Sequence, residues 1–442
     1  MPKLHAMLAL WVLALASPAS FALDARTDID RAVELIREGQ FAFARTYLAP
    51  ALVSPYISSG ERSRAYYFRG FTFAAENMPV SARKDFHRAL EFNASNPAAL
   101  VALGRLYAGG TGIEQDAELA FELFTQAADL EYPPGQFHQG YAYLLGEGVE
   151  KNLLKAREIL AAAADEGQVF AMMSLAASYR AEHTDSPEPE LARFWYENAL
   201  EAGEPKAQLA LAYMHSLGEF GEPDQSASFR LLVAAADDGV PEAYASLGYA
   251  HFAGEGTEVD YAASLAAYQK AADAGVVGGY IGLGHLYQFG YGVKQDKETA
   301  LEWFRRGAEL GDVQAQLRVA NLYLQQQTPD AGKQAVYWSR LAAESGAPQA
   351  LNDFAWILAT SKFDEMRNGT LAVVQAEKAV AGEASAAYLD TLAAAYAETG
   401  NFERAVEVQR RALDSLTEEE ADLRGELENR LQYYQRSEPW RE

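Results

Sequence analysis

The sequence predicts an all-α fold, an α/α superhelical solenoid of about eleven antiparallel helix pairs with a C-terminal capping helix. Three observations predict it: residue types recur every 36 positions, Ala, Leu, Glu and Tyr are abundant, and only 16 of 442 residues are Pro. A fixed period of this length is typical of repeat architectures in which every unit is one supersecondary element. The abundance of good helix formers indicates that the element is helical.

The period is clearest in a column of small residues. Each member stands 36 residues after the one before, and a Tyr or His follows each member by three residues. Chance does not keep such a spacing through seven units. The small column consists of Gly104, Gly140, Ala176, Ala212, Gly248, Gly284 and Ala320, and the second column of Tyr107, Tyr143, Tyr179, His215, His251, Tyr287 and Tyr323.

Each unit predicts a helical hairpin, as the fifth unit illustrates. Helix A spans about Pro241 to Phe252 and ends before Gly254, because glycine adopts the left-handed conformation at little cost. Asp260 stands at the N-cap position of helix B. We expect the small column to let helix B pack closely, and the Tyr or His column to fill the space between the helices. The N-cap position recurs at Asp116, Asn152, Glu188, Asp224 and Asp296.

A further column of large residues completes the predicted core of the hairpins. Its members are Phe124, Leu160, Tyr196, Leu232, Tyr268 and Phe304. Together these patterns resemble the Sel-one-like repeat, a relative of the tetratricopeptide repeat. The resemblance rests on Leu-Gly-x-x-Tyr, a Gly-x-Gly loop, an Asp and a later Ala-rich segment, best seen from Leu283 to Gly311. It implies helix pairs stacked into a superhelix, although the third and seventh units lack the glycine loop.

The resemblance also suggests how the chain is divided. The flanks of the seven repeats look like the parent tetratricopeptide motif, and the last segment is an amphipathic helix followed by a tail that we expect to be loose. The predicted segments are a signal peptide at 1–22, tetratricopeptide-like helix pairs at 23–96, seven Sel-one-like repeats at 97–347, tetratricopeptide-like helix pairs at 348–416, and a capping helix with its tail at 417–442.

The N-terminal residues have the features of a secretory signal. Lys3 precedes an apolar stretch from Met7 to Ala16, and Ser20-Phe21-Ala22 places small residues before a cleavage site. We therefore expect a periplasmic or secreted product that begins near Leu23 and has no transmembrane segment; an uncleaved anchor is the alternative. The chain has no Cys, which excludes disulfides, thiolate sites and acylation at an N-terminal cysteine.

Charge and motifs limit the possible functions. The net charge of −25 argues against nucleic acid and anionic lipid as partners, since both require a cationic surface; it favours solubility or a basic partner. No catalytic residue, cofactor or metal site is predicted. Ser81 and Lys84 match a Ser-x-x-Lys pattern without its partner motifs, and a metal pair at His215 and His251 is the weaker alternative to two packed histidines.

Function is therefore expected from the surface of the solenoid. In tetratricopeptide relatives helix A lines the concave face, and the residues beside the small column would then point inward. Aromatic side chains are favoured at binding surfaces because they bury much area with few rotatable bonds. The alternative is that these rings only pad contacts between helices. The candidate protein- or glycan-binding residues are Phe137, Tyr141, Tyr213, Tyr249, Phe252 and His285.

The sequence thus predicts a non-enzymatic scaffold or adaptor that mediates protein–protein interactions in a bacterial envelope assembly. The protein partner is not identified by any motif. A glycan- or peptidoglycan-binding module is the alternative, since aromatic rings also stack on sugars. A hydrolase with an unrecognised site is the third and weakest hypothesis.

Overall fold

A computed structural model describes residues 18–180, 186–417 and 420–442. This part of the chain forms 23 α-helices and two short 3-10 helices and contains no β-strand, which confirms the predicted all-α repeat fold. Odd-numbered helices from α1 to α21 are the A helices of eleven pairs, even-numbered helices are the B helices, and α23 is the capping helix. The chain forms two compact units, one extending to Leu211 and including Glu219–Gly221, the other comprising Ala212–Gly218 and Glu222–Glu442.

The first unit contains five complete helix pairs. They are α1 Pro18–Arg37, α2 Phe41–Val53, α3 Ser59–Ala75, α4 Pro79–Phe92, α5 Pro97–Gly109, α6 Ala117–Ala128, α7 Pro133–Leu145, α8 Leu153–Asp165, α9 Val169–Ser178 and α10 Pro189–Glu201.

Helix α11, Lys206–Ser216, contributes residues to both units. The remaining helices belong to the second unit. They are α12 Gln225–Asp237, α13 Pro241–Ala253, α14 Tyr261–Asp273, α15 Val277–Phe289, α16 Lys297–Glu309, α17 Val313–Leu324, α18 Pro329–Ala343, α19 Pro348–Thr360, α20 Gly369–Gly382, α21 Ala386–Glu398, α22 Phe402–Asp414 and α23 Arg424–Gln435, with 3-10 turns at Asp364–Met366 and Ala421–Leu423.

Packing between the helices follows their order in the chain. Leaving α11 aside, the two helices of a pair pack along their length, and each B helix also packs against the A helix of the next pair. A helices of consecutive pairs pack on one another as well, for example α13 on α15 and α19 on α21, whereas B helices do not do so to the same extent in the described part of the chain. Within each unit the A helices are therefore crowded toward one side.

The small column brings the two helices of a pair into close contact, as predicted. A Cβ atom added to Gly104 would lie 2.6 Å from the ring of Phe124, and one added to Gly284 would lie 2.6 Å from the ring of Phe304. Phe304 is fully buried. Because the glycines leave room for these rings, the large residue of helix B fills the interior of its own hairpin.

The turn between the helices of a pair has a repeated hydrogen-bond pattern. Gly254 ends helix α13 in the left-handed conformation, with φ 75°. The side chain of Asp260 accepts hydrogen bonds from backbone N–H groups of α14, while its own N–H donates to the carbonyl of His251 at 2.8 Å. Glu188 is the exception to the predicted caps: its side chain makes no cap bond, because the extra methylene moves the carboxylate away and Pro189 begins the helix instead.

The rings of the Tyr or His column lie between helices, and some of them contact the preceding pair. Most of these rings are half-buried, and they contact helices on both sides: Lys155 of the B helix of the same pair donates to the Tyr143 hydroxyl at 2.6 Å. The ring of Tyr143 packs edge-on against Phe121 of the preceding B helix, with ring centroids 5.2 Å apart. The ring of His251 packs in the same way against Phe229, with centroids 5.3 Å apart. Position +3 lies only about 60° around the helix from the small column, so a large ring there can reach both its own B helix and the preceding one.

A second contact between consecutive pairs involves mainly the backbone. The second glycine of the Gly-x-Gly loop lies against the first turn of the preceding B helix. A Cβ atom at Gly148 would lie 2.0 Å from the carbonyl oxygen of Ala117, and one at Gly256 would lie 2.1 Å from that of Gln225. Both glycines have positive φ, so both the conformation and the space exclude a side chain.

The C-terminal helix covers the last pair, and the tail after it is not loose. Buried Arg430 of α23 forms an ion pair with buried Asp390 of α21 at 3.0 Å. The tail then returns to the end of α19, where the N–H of Glu442 donates to the carbonyl of Thr360 at 2.8 Å. The expectation of a loose tail was wrong, because backbone hydrogen bonds and the half-buried ring of Trp440 hold it in place.

Two predicted features fall on residues outside the described ranges. Most of the predicted signal peptide, residues 1–17, lies outside them, and Pro18–Ala22 form the start of α1. Part of the irregular loop of the third unit, 181–185, also lies outside them. In the seventh unit the missing glycine is replaced by Gln327, which adopts positive φ, 53°, and Thr328 caps the next helix.

The contact between loop and preceding helix can be tested with a matched pair of glycines. Gly256→Ala should lower the free energy of unfolding by about 2–4 kcal/mol, the sum of about 1 kcal/mol for positive φ and about 1–3 kcal/mol for the overlap with Gln225. Gly275 also has positive φ, 79°, but has no atom within 4 Å of an added Cβ, so Gly275→Ala should cost only the first part. Urea unfolding followed by circular dichroism measures both; equal losses would contradict the assigned contact.

Candidate functional site

A groove of about 500 Å³ lies in the second unit between the A-helix residues Tyr213 and Tyr249. These residues are 46% and 51% exposed. The hydroxyl groups of Tyr213 and Ser246 are 3.0 Å apart and share a hydrogen bond, which links α11 to α13 and orients the first ring. Two of the predicted candidate residues thus stand at one opening, with apolar surface available to a partner.

The wall of this groove includes Tyr268, which is only 8% exposed. Its ring is held between two A helices, because Cβ atoms at Gly248 and Gly282 would lie 2.5 and 2.3 Å from it. Burial raises the pKa of the Tyr268 hydroxyl far above its ordinary value, and Tyr249 acts in the same direction. Tyr268 is therefore a neutral ring that is held rigidly in the wall of the groove.

Phe137 and Tyr141 form a separate pair in the first unit. They are one helical turn apart on α7, and their ring centroids lie 5.7 Å apart. Phe137 also contacts Phe170 of the next A helix at 6.1 Å. Phe137 is half-buried, whereas Tyr141 is 37% and Phe170 is 60% exposed. Phe137 thus packs between A helices, while Tyr141 and Phe170 present aromatic surface to solvent.

Phe252 and His285 belong to an aromatic cluster at the turns of the fifth and sixth repeats. The ring centroids of Phe252 and Tyr291 lie 5.2 Å apart, and those of Tyr291 and Phe289 lie 6.0 Å apart. Phe289 in turn stacks on His285, with ring centroids 5.9 Å apart. Tyr261 closes the cluster, 5.3 Å from Tyr291. Burial lowers the pKa of His285, and Arg318 adds to this effect, so at neutral pH the imidazole is an uncharged ring.

The six candidate residues thus lie in three separate groups. The sequence interpretation missed Tyr261, Phe289 and Tyr291, because the loop between Gly290 and Gly292 was considered only as a turn. The spacing of four residues between His285 and Phe289 was the available signal, since residues i and i+4 share a helix face.

The described residues contain no group of three or more His, Asp or Glu side chains placed to hold a metal ion. His251 packs its ring edge-on against Phe229. Within the described ranges, no helix combines the length and the apolar character needed to cross a bilayer.

The family described as Sel1 repeat matches the chain at seven consecutive stretches. The matched residues are 97–132, 133–168, 170–204, 205–240, 241–276, 279–312 and 313–346. Their limits agree with the repeat region that the 36-residue period predicts. No curated protein matches the chain at the significance required.

Several solved structures have a similar fold. One is a protective antigen of uropathogenic Escherichia coli with an SLR fold, with TM-score 0.47 and 22% identity over 96% of both chains. Another is a Sel1 repeat protein from Oxalobacter formigenes, with TM-score 0.46 and 28% identity over 53% of this chain and 99% of that one. Yeast Tom70 has TM-score 0.39 and 15% identity over 93% and 95%.

The free energy of unfolding should distinguish the exposed rings of the groove from the buried ring in its wall. Tyr268→Ala should lower the free energy of unfolding by about 3–5 kcal/mol, as expected for a deleted core aromatic ring. The double variant Tyr213→Ala/Tyr249→Ala should lose about 1 kcal/mol, because both rings are half-exposed and only one hydrogen bond is lost. Urea unfolding measures the difference. A double variant as unstable as Tyr268→Ala would mean that the two rings serve packing.

Proposed function

Because the chain belongs to the Sel1 repeat family, whose repeats generally mediate protein–protein interactions, we propose that it is a non-enzymatic scaffold or adaptor. Its partners are proteins of a bacterial envelope assembly, bound through the face that the A helices provide. The observation that carries this proposal is the groove with Tyr213 and Tyr249 at its opening. Two large rings are exposed to solvent there, whereas the large residues inside the hairpins are buried.

The physical argument is the cost of exposed aromatic surface. An exposed Tyr contributes little to folding, yet it becomes an anchor when a partner removes it from water. The groove between the rings is already formed, and Tyr268 beneath it is fixed by the two glycines that flank it. Preformed and rigid surfaces bind with a smaller loss of entropy.

The location outside the cytoplasm is proposed from the N-terminal sequence. Lys3, the apolar stretch from Met7 to Ala16 and the small residues before Leu23 support export and cleavage. The excess of acidic residues, 62 against 37 basic ones, supports a chain that remains in solution after export.

Partner capture tests the binding face with a matched control. Tyr213→Ala/Tyr249→Ala should reduce capture of partners from a detergent-solubilised envelope fraction about tenfold or more, as expected for loss of two anchors. Tyr47→Ala/Tyr337→Ala is the control, since these rings are 39% and 44% exposed but stand on B helices. Quantitative mass spectrometry after crosslinking gives the readout.

Two outcomes would contradict this proposal. One is equal capture by the A-helix variant and wild type; the other is an equal loss in the B-helix control. Purified sacculi provide the remaining arm. If they sediment wild-type protein at moderate salt, with no protein partner present and with dependence on Tyr213 and Tyr249, the ligand is a glycan.

Export is tested on the chain produced in a Gram-negative host. The mature protein should appear in the periplasmic or secreted fraction with an N-terminus near Leu23, because signal peptidase cuts after small residues at −3 and −1. Intact-mass measurement of each fraction provides the readout. A chain that retains residues 1–22 in the cytoplasm, or an uncut form held in the inner membrane, would exclude a cleaved signal.

A further inference from the structure

A second groove, also of about 500 Å³, lies near the C-terminal end of the second unit. Its walls come from the A helices of three consecutive pairs, α17, α19 and α21, and the capping helix α23 closes one side. None of its lining residues lines the Tyr213 and Tyr249 groove. Here the lining is mostly polar, with amide side chains at Gln314, Asn321, Gln349 and Asn352.

The charges in this groove are not compensated equally. Arg430 is paired with Asp390 at 3.0 Å and with Glu426 at 3.4 Å, so this cation stabilises the fold. The carboxylate of half-buried Asp353 differs. Its one side-chain hydrogen bond among the described residues comes from Asn352 at 3.4 Å, which is long. No Lys, Arg or His of the described chain lies within ion-pair distance of it.

Burial acts on the uncompensated acid as physical chemistry predicts. Desolvation raises the pKa of the Asp353 carboxyl group, and the hydrogen bond from Asn352 opposes this only partly. Because the folded-state pKa is above the ordinary value, the charged form costs stability once the pH is above it. A residue that costs stability and serves no pairing inside the fold is a candidate for function.

Asn352, which precedes Asp353 in the chain, also has an acceptor atom without a hydrogen-bond donor. The Oδ1 atom of Asn352 is buried, and no donor group of the chain is within hydrogen-bond distance of it. Asn352 and Asp353 both line the groove from α19. Two adjacent acceptors without strong donors require a ligand that carries several N–H groups, and the acid requires that the ligand is positive there.

We propose that this groove binds an extended peptide segment whose Arg or Lys side chain is seated on Asp353 and Asn352. The amides of Gln314, Asn321 and Gln349, contributed by two successive A helices, can pair with main-chain N–H and C=O groups, which favours a peptide over a compact cation. The chain's net charge of −25 attracts a basic partner from a distance.

The position of Arg318 refines the ligand. It is exposed on the α17 wall of the same groove and forms no ion pair with the described residues. Arg318 would repel a run of basic residues but would attract a carboxylate or a main-chain carbonyl. The fitting segment therefore carries one basic residue flanked by neutral or acidic residues. This specificity goes beyond the scaffold function and is independent of the Tyr213 and Tyr249 groove.

A peptide array tests the assignment with the full-length protein. The probes are immobilised ten-residue peptides of Ala, Gly and Ser that carry Arg, Lys, Leu or Glu at the centre. Labelled wild-type protein should bind the Arg and Lys series about tenfold more than the Leu and Glu series. Asp353→Asn should abolish this preference. Glu302→Gln, which removes an exposed acid on the B helix α16, should keep it.

Thermal melting separates a binding acid from a structural one. Asp353→Asn should leave the Tm unchanged or raise it, because an uncompensated charge is removed. A lowered Tm with an unchanged preference for basic peptides, or a wild-type protein without that preference, would overturn the proposal. So would Asp353-dependent binding of free spermidine combined with no binding of peptides. The Tyr213→Ala/Tyr249→Ala chain should keep the preference; its loss would place the peptide elsewhere.

Discussion

Close backbone contact between one helix pair and the next is the constraint on which the structure depends. At Gly148 and Gly256 the chain passes so near a carbonyl of the preceding B helix that no side chain fits. The ring at the Tyr or His position then packs against the same preceding helix, as Tyr143 does on Phe121. Since both contacts use only neighbouring pairs, within each unit of the fold a pair that carries them is positioned by the one before it. The crowding of A helices and the grooves between them follow from this positioning.

The sequence was sufficient for the elements of the fold but not for every partner within it. The 36-residue period predicted the helices, their caps and the close approach at the small column. It did not show that rings of the Tyr or His column also contact the preceding B helix. The separation from Tyr143 back to Phe121 is 22 residues, while that from Gly104 forward to Phe124 is 20. A period identifies equivalent positions, but it cannot distinguish two neighbours at nearly equal distance along the chain.

The candidate site was less predictable, for two physical reasons. The 36-residue period correctly placed Tyr213 and Tyr249 on A helices. Which aromatic residues lie next to one another, however, depends on how successive helix pairs pack, and the period does not give that. The sequence therefore did not separate Phe252 and His285 from the other candidate residues, whereas in the structure they belong to an aromatic cluster with Phe289 and Tyr291. Asp353 could not be recognised at all, because it is one of 62 acidic residues and only its burial without a cation distinguishes it.

The repeats of a single chain also separate the residues that maintain the fold from those that are free to bind. The seven repeats pack in the same way, and they carry similar residues at positions that contact an adjacent helix. The position directly after the small column behaves differently, since it holds Arg105, Tyr141, Tyr213, His285 and Asn321 in different units. At a position where packing does not restrict the residue type, aromatic, charged and amide side chains are all compatible with the same fold. The A-helix face can therefore present an aromatic groove at one place and a polar groove at another, without any change in the contacts that join the pairs.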